Sequence, residues 1–152
     1  MMAIPIATLS DYDAIKEAFA QNRNIFPHIR TDYIFNMIER CNCVYYDGVI
    51  IFYNFYKRKN KIGNIVAPKG TCTIKQILNT QKGNGNAGKV LNEFLQWANR
   101  DVYLSVRSDN LRAINFYKKN NFKLVGEISW KNGTLPGHVY CWNPKTPELP
   151  CT

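Results

Sequence analysis

The sequence predicts an α+β protein in which a mixed β-sheet is flanked by helices. Apolar residues recur at helical spacing in four segments, and β-branched and aromatic residues concentrate in the runs between them. These segments follow the order strand, two helices, hairpin, then alternating strands and helices, which is typical of a mixed sheet. A chain of 152 residues with 45% hydrophobic residues is also long enough to bury one core.

The N-terminal half is predicted to contain a strand, two helices and a hairpin. A strand over 4–9 precedes a helix that residues 10–13 would open as a capping box. Thr31 is expected to cap the second helix, and the Asp-Gly pair at 47–48 between two apolar runs predicts a hairpin turn. The stretch 57–68 is expected to be a basic connection to the next strand.

The C-terminal half is predicted to alternate strands with helices. Asn121 suits the left-handed conformation that often ends a helix. The predicted strands cover 71–79, 102–106, 122–130 and 138–142, and the predicted helices end near 99 and 120. No repeat or linker interrupts this order, so we predict a single domain over 1–143 and a loosely held tail over 144–152.

Positive charge is concentrated in one interval of the chain. The net charge is +9, and no acidic residue occurs over 48–92. The cations of this interval are Lys57, Arg58, Lys59, Lys61, Lys69, Lys75, Lys82 and Lys89. A basic field of this kind attracts a phosphorylated cofactor, nucleic acid or an acidic surface, and otherwise serves as a solvated face.

The cysteines and the apolar runs bear on compartment. Five cysteines are an odd number in a chain that is not cysteine-dense, which indicates free thiols in a reducing compartment. Cys41 and Cys43 lack the second pair or the histidine that would complete a metal site, so no metal is expected. The N-terminus has no signal-peptide pattern, and no apolar run approaches the ~20 residues that span a bilayer. We therefore expect a cytoplasmic protein without a membrane partner.

A glycine-rich loop in front of a helix predicts an anion site. Glycines let the backbone approach a ligand and turn several N–H groups toward it. The N-terminus of the following helix adds a partial positive charge, which favours phosphate. The residues expected to form this phosphate cradle are Lys82, Gly83, Asn84, Gly85, Asn86, Ala87 and Gly88.

The same loop partly matches a nucleotide-binding P-loop. Residues 83–89 fit the pattern GxxxxGK, but Val90 stands where that motif needs the Ser or Thr that holds Mg²⁺. The loop also lies past the middle of the chain, which leaves too little sequence for the rest of a nucleotide-binding fold. We therefore expect no hydrolysis of ATP or GTP.

A second motif places a tyrosine on a short helix between two strands. The predicted helix 111–120 carries Tyr117, and a phenol can donate a proton to a leaving group. Together with the phosphate cradle, this motif predicts a small enzyme that binds a pyrophosphate cofactor and protonates a leaving group.

Both motifs resemble those of the GNAT N-acetyltransferases, over about 71–130. The loop Lys82-x-x-Gly85-x-Ala87 is similar to the family's (Arg/Gln)-x-x-Gly-x-(Gly/Ala) loop, although Lys82 keeps the charge and lacks the planar fork of Arg. Asn121 departs from the family's usual Gly. The second motif is similar to the strand–helix–strand that follows this loop in the family, and it reads Val106-x3-Asn110-x2-Ala113-x2-Phe116-Tyr117-x-Lys119-x-x-Phe122.

The resemblance implies a fold and a reaction. The fold is a GNAT-like central mixed, mostly antiparallel sheet flanked by about four helices. The reaction is direct transfer of an acetyl group from acetyl-CoA to an amine, with loop 82–88 holding the pyrophosphate. The resemblance also places Asn110 near the pantetheine arm and makes Tyr117 the acid that protonates the thiolate. The backbone expected to bind the acyl-pantetheine part is that of Ile77, Leu78 and Asn79.

The general base and the acceptor stay open at this stage. Many relatives place a Glu on the central strand, but 71–79 contains no carboxylate. His28, between the first two helices, is the first candidate for the base, followed by Glu39 and His138. The acceptor is an unknown amine. Alternatives are a GNAT-type enzyme that modifies aminoacyl-tRNA or a DNA base, and a non-catalytic polyanion-binding module. A homodimer through an exposed sheet edge is a further expectation from the family.

Overall fold

The computed structural model describes residues 3–83 and 85–144. Within them the chain forms four α-helices and eight strands, preceded by a 3₁₀ turn at Leu9–Asp11. The helices are α1 (Tyr12–Ala20), α2 (Thr31–Glu39), α3 (Asn86–Ala98) and α4 (Leu111–Lys119). The strands are β1 (Cys43–Tyr46), β2 (Val49–Phe55), β3 (Asn60–Ile62), β4 (Ile65–Ala67), β5 (Cys72–Asn79), β6 (Val102–Arg107), β7 (Lys123–Trp130) and β8 (Leu135–Trp142). The predicted mixed, mostly antiparallel α+β fold with about four helices is confirmed.

The chain divides into two compact units, each built from two separate stretches of sequence. Of the described residues, 3–55 and 73–97 form the first unit. The second unit consists of 56–72 and 98–144. The glycine-rich loop therefore belongs to the first unit, and the helix that carries Tyr117 belongs to the second.

The predicted domain boundaries stay a prediction. Residues 145–152, most of the expected tail, lie outside the described part of the chain. In the described ranges, no helix is long and apolar enough to cross a membrane.

The first unit packs α1 and α2 on three strands in the order β1–β2–β5. Strands β1 and β2 are antiparallel, from Cys43 opposite Phe52 to Tyr46 opposite Val49. The rings of Phe19 and Phe52 stack with their centroids 5.2 Å apart. The buried residues of this core are Ala7, Ile15, Phe19, Ile34, Met37, Ile38, Cys43, Ile50, Phe52 and Leu78. They include the apolar stripes that predict α1 and α2 from the sequence.

The second unit contains three antiparallel strands in the order β6–β8–β7, with β8 in the middle. The register between β7 and β8 shifts between Leu124 and Gly126, where β7 bulges. The hairpin β3–β4 belongs to this unit and contributes Ile62 and Ala67 to its core. The other buried residues of that core are Tyr103, Val139 and Cys141.

Two segments differ from the sequence prediction. The strand expected over 4–9 is reduced to a single bridge between Ile6 and Val44, because the chain turns into the 3₁₀ helix at Leu9. The basic connection over 57–68 contains the hairpin β3–β4, in which Asn60 pairs with Ala67. Strands of three residues are too short to show a clear period in the sequence.

The predicted helix caps are wrong, whereas the predicted helix end is right. The Asp11 carboxylate accepts from the N–H of Thr8 at 2.9 Å, so the capping box opens the 3₁₀ turn two residues before the expected box. Helix α1 then begins after Asp11, whose side chain makes no cap bond to it. Helix α2 begins at Thr31, and its N-cap is Arg30. Asn121, after α4, has φ +70° and allows the N–H of the next residue to reach back into the helix, which confirms the left-handed end.

Candidate active site

The glycine-rich loop takes backbone angles that require glycine. Gly83 and Gly85 have φ of +97° and +75°, and both are exposed. Lys82 is exposed beside them, and Ala87 and Gly88 are half-buried in the first turn of α3. Asn84, the remaining residue of the predicted cradle, lies outside the described residues. The loop thus opens to solvent in front of a helix of 13 residues.

A pair of side-chain amides, one buried and one half-buried, fixes where this helix begins. Asn86 is 5% exposed, and its Nδ2 donates to the backbone oxygen of Asp47 at 2.8 Å. Asn79 Nδ2 donates to Asn86 Oδ1 at 3.0 Å, and Asn86 Nδ2 lies 3.1 Å from Asn79 Oδ1. Asn79 Oδ1 also accepts from the N–H of Gln81 at 2.9 Å. These bonds tie the start of α3 to the end of β5 and to the β1–β2 turn.

The amide pair changes the interpretation of Asn86, whereas for Asn79 the prediction already concerns only the backbone. The side chains of Asn79 and Asn86 hold the loop in place, so any contact with a cofactor falls to their backbone groups. Leu78 is 2% exposed and belongs to the core, and Ile77 is half-buried. The role of Asn86 as a positioning residue was missed from the sequence, where its only signal is an Asn seven residues after Asn79 across a glycine loop.

Tyr117 lies on α4 between two other aromatic rings. Its ring centroid is 5.5 Å from that of Phe116 and 5.6 Å from that of Phe122. Burial raises the pKa of Tyr117 to about 12, so the phenol keeps its proton at neutral pH. Its hydroxyl forms no hydrogen bond within residues 3–83 and 85–144. The hydroxyl is therefore not committed to a structural partner in the described part of the chain.

Asn110 caps the helix that carries Tyr117. Its Oδ1 accepts from the N–H of Ala113 at 3.2 Å, and the residue is exposed. This is the bond that an N-cap Asn ordinarily makes. The predicted contact of Asn110 with the pantetheine arm stays a prediction, and the side chain has this structural role in addition.

The three candidates for the base lie in different surroundings. His28 is exposed in an open hollow of about 750 Å³ lined by residues 23 and 27–32, which include Arg23 and Arg30 but no residue of the glycine loop. Glu39 is exposed at the last residue of α2. His138 is half-buried on β8 with its Nδ1 buried and without a partner in the described residues.

His138 lines an open groove of about 870 Å³ in the second unit. Its neighbours across the strand and along the groove include Glu127, Ser108 and Ser129. Tyr117 is not among the residues that line this groove. In the described part of the chain, no three His, Cys, Asp or Glu side chains are grouped closely enough to hold a metal ion.

The chain belongs to the acetyltransferase (GNAT) family, whose model matches residues 13–122. This confirms the resemblance inferred from loop 82–88 and from the motif around Tyr117. It also confirms the predicted activity, which is acyl-CoA-dependent N-acetyl transfer with acetyl-CoA as the cosubstrate. The acceptor is unknown.

Solved structures with similar folds cover almost all of the chain. A GNAT family acetyltransferase from Streptococcus agalactiae matches with a TM-score of 0.73 and 14% identity, over 95% of this chain and 96% of that one. Ard1 from Thermoplasma volcanium matches with a TM-score of 0.72 and 15% identity, over 95% and 98%. NAA60 from Arabidopsis thaliana, solved in complex with acetyl-CoA, matches with a TM-score of 0.68 and 17% identity, over 93% and 98%. At these identities the likeness shows the fold. No curated protein matches this chain significantly.

Proposed function

We propose that acetyl-CoA binds with its pyrophosphate on loop 82–88 and the first turn of α3. The observation that supports this most is the buried amide of Asn86, which holds the start of that helix against Asp47 and Asn79. The first N–H groups of a helix have no partner inside the helix, and together with the partial charge of its N-terminus they suit a phosphate. The exposed Lys82 adds a full positive charge to the loop.

The acyl-pantetheine arm is proposed to bind the backbone at the end of β5. The backbone of Ile77, Leu78 and Asn79 would bind its amides, since a strand end offers N–H and C=O groups. Asn110 would contact the arm through its Nδ2 group or the second lone pair of its Oδ1, because the cap bond to Ala113 uses only one lone pair of that oxygen.

The chemical step is direct transfer. The neutral amine nitrogen attacks the thioester carbon, the C–S bond breaks, and the sulfur leaves as a thiolate that takes the proton of Tyr117. The amine loses one proton in the same reaction, so the products are an amide and the CoA thiol. A phenol whose pKa is about 12 supplies this proton throughout the neutral range. His28, an exposed imidazole in an open hollow, is the proposed acceptor of the amine's proton.

Calorimetric titration tests the cofactor site. Acetyl-CoA and CoA are expected to bind with micromolar affinity, whereas Mg-ATP is expected not to bind because Val90 replaces the hydroxyl that a P-loop requires. Binding of Mg-ATP instead of the CoA species would contradict the proposal that loop 82–88 is a phosphate cradle for acetyl-CoA.

Tyr117→Phe tests the proton donor. The substitution removes a hydroxyl without a described partner, so the fold and the affinity for acetyl-CoA are expected to stay unchanged. The rate of CoA release with a competent acceptor is expected to fall about 100-fold, the lower range for a general acid. Tyr140→Phe, at a buried tyrosine of the same unit, is the control and is expected to keep its activity. Full activity in Tyr117→Phe would remove this residue from the mechanism.

A nucleic acid that carries the acceptor amine is the second candidate. It is favoured by the acid-free interval 48–92, whose cations exceed what one pyrophosphate needs. The acceptor would be an aminoacyl-tRNA or a DNA base, and a polyanion-binding module without catalysis is the remaining alternative. Acetyl transfer from labelled acetyl-CoA to tRNA or duplex DNA, compared with small amines, separates these cases.

Two broader expectations are kept as proposals. The free thiols of Cys41, Cys43, Cys72 and Cys141 support a reducing compartment such as the cytoplasm. A homodimer is proposed from the family, and sedimentation velocity at several concentrations would test it.

A further inference from the structure

We propose that the β3–β4 hairpin is a binding surface for the phosphate backbone of duplex nucleic acid. The proposal deepens the second candidate function. It rests on that function only in taking the bound nucleic acid as the carrier of the acceptor amine. Binding itself is measured without acetyl-CoA.

The hairpin and its flanks carry an unusual density of uncompensated charge. Five cations within 13 residues are all exposed, and none forms an ion pair with a described residue. They are Lys57, Arg58, Lys59, Lys61 and Lys69. All belong to the second unit, and the sequence from 48 to 92 contains no carboxylate to offset them. Glu127 lines the same groove as Lys61 without pairing with it. A surface of this kind gains free energy by releasing the counterions that a duplex holds.

The hairpin presents its two faces to different surroundings. Ile62 and Ala67 face the core of the second unit and are 8% and 0% exposed. Lys61 and its cross-strand partner Val66 lie on the outward side and are exposed, and Lys59, directly before β3, is exposed as well. The Cα atoms of two cations two residues apart lie at most about 7 Å from each other, which is about twice the axial spacing of phosphates along one DNA strand. A two-stranded ribbon is also narrow enough to enter the major groove.

Hydrogen bonds hold both ends of the hairpin in place. At the tip, the N–H of Asn64 donates to the oxygen of Glu127 at 2.9 Å, and Asn64 Oδ1 accepts from the N–H of Glu127 at 2.8 Å. At the base, Tyr56 exchanges backbone bonds of 2.9 Å with Gly70 and Thr71. The cations are therefore carried on a ribbon that is already ordered, which lowers the entropy cost of binding.

The surface fits a duplex better than the other polyanionic partners. Single strands are bound by stacking on aromatic rings, and no aromatic residue occurs over 57–69. Membrane surfaces are bound by basic faces with large apolar anchors, whereas Val66 is the one exposed large apolar residue in this described stretch. Backbone contacts alone carry no base specificity, so binding is expected to be independent of sequence.

Fluorescence anisotropy with a labelled duplex of arbitrary sequence tests the surface. The wild-type chain is compared with Lys57→Ala/Lys59→Ala/Lys61→Ala and with the control Lys118→Ala/Lys119→Ala/Lys123→Ala. Both variants lose three exposed lysines of the second unit, so their net charge is equal. The hairpin variant is expected to bind the duplex at least tenfold more weakly than the wild type. Its plot of log K against log salt concentration is expected to be less steep by about 2.7, or about 0.9 for each lysine removed. The control variant is expected to stay close to wild type.

Three results would overturn the proposal. They are the absence of duplex binding by the wild type, equal losses in the two triple variants, and tighter binding of polyglutamate or of anionic vesicles than of the duplex. Calorimetry with acetyl-CoA on the same samples separates this proposal from the cofactor site. If acetyl-CoA binds the hairpin variant as it binds the wild type, a loss of duplex binding is specific to the surface. If the wild type binds the duplex but not acetyl-CoA, the cofactor proposal fails and the surface stands.

Discussion

Asn86 is the residue on which the geometry of the glycine loop depends most. Asn86→Ala removes the bond to the backbone oxygen of Asp47 and both bonds with Asn79, and it leaves Asn79 Nδ2 without its bond to Asn86. We expect a loss of about 2 kcal/mol in the free energy of unfolding. We also expect the Kd for acetyl-CoA to rise about tenfold, or about 1.4 kcal/mol, because the first turn of α3 loses its fixed position. Urea unfolding and calorimetry measure the two effects.

Asn92→Ala is the matched control for this prediction. Asn92 lies on the same helix, is exposed, and its replacement by Ala raises helix propensity. This substitution is expected to change the free energy of unfolding by no more than a few tenths of a kcal/mol. It is expected to leave the affinity for acetyl-CoA unchanged. Equal affinities in the two variants would show that the buried amide does not position the cofactor loop.

The glycine loop can be predicted from the sequence, whereas the hydrogen bonds that hold it in place cannot. Gly83 and Gly85 are predictable, because only glycine takes such backbone angles easily next to a helix start. The role of Asn86 depends on the carbonyl of Asp47, which is 39 residues away in the chain. A local pattern contains no information about such a pairing, so the sequence alone assigns Asn86 to the cofactor.

The position of the β3–β4 hairpin depends on glycines where it approaches β7, and Gly63 is the one in the turn of the hairpin itself. Gly63 has φ +58°, and a Cβ there would overlap the backbone oxygen of Glu127. Gly63→Ala must therefore move the turn away from β7 and weaken the bonds of Asn64. We expect a loss of about 3 kcal/mol of stability from the clash and the left-handed backbone together. Urea unfolding gives the stability, and hydrogen exchange of the Glu127 amide shows whether the tip has detached.

Gly70→Ala separates the clash from the backbone strain. Gly70 also has a left-handed φ, +86°, but a Cβ there meets nothing within 4 Å. Its replacement is expected to cost about 1 kcal/mol and to leave the exchange of Glu127 unchanged. If Gly63→Ala costs no more than Gly70→Ala, the contact between the hairpin tip and β7 is not tight.

Elements differ in how far the sequence predicts them. The helices α1 and α2 are predictable because their apolar stripes end up in the core of the first unit. Their starts are less so, because α1 follows a 3₁₀ turn capped at Thr8 and Arg30 takes the cap position of α2, in place of the caps expected from the sequence. The hairpin is missed because its strands are short and its lysines suggest a loop, whereas Ile62 and Ala67 are anchored by residues far along the chain.

At the scale of the whole molecule, several buried or half-buried groups that ionise in alkali share one behaviour. Burial, with a smaller contribution from Asp11 at Cys43, raises the pKa of the Cys43 and Cys72 thiols from 9.0 to about 12. Burial also raises the pKa of Tyr117 from 10.0 to about 12. Each group is neutral when protonated, and the unfolded chain releases its proton more easily than the folded one. The contribution of these groups to the free energy of unfolding is therefore fully present below pH 9 and declines as the pH rises to 12.

Because these pKa values are raised in the folded state, the protein is predicted to lose stability in alkali. Each thiol reduces the free energy of unfolding by about 1.4 kcal/mol per pH unit once the pH is well above 9, so Cys43 and Cys72 together remove about 4 kcal/mol between pH 9 and 11. Urea unfolding at pH 7, 9, 10 and 11 measures the decline. The variant Cys43→Ala/Cys72→Ala is expected to be less stable at pH 7, because it leaves small cavities. It is expected to lose roughly half of the dependence on pH, because Cys141, Tyr103 and Tyr117 also have raised pKa values and keep their contribution. Equal slopes in the variant and the wild type would mean that other groups, and not these thiols, control alkaline stability.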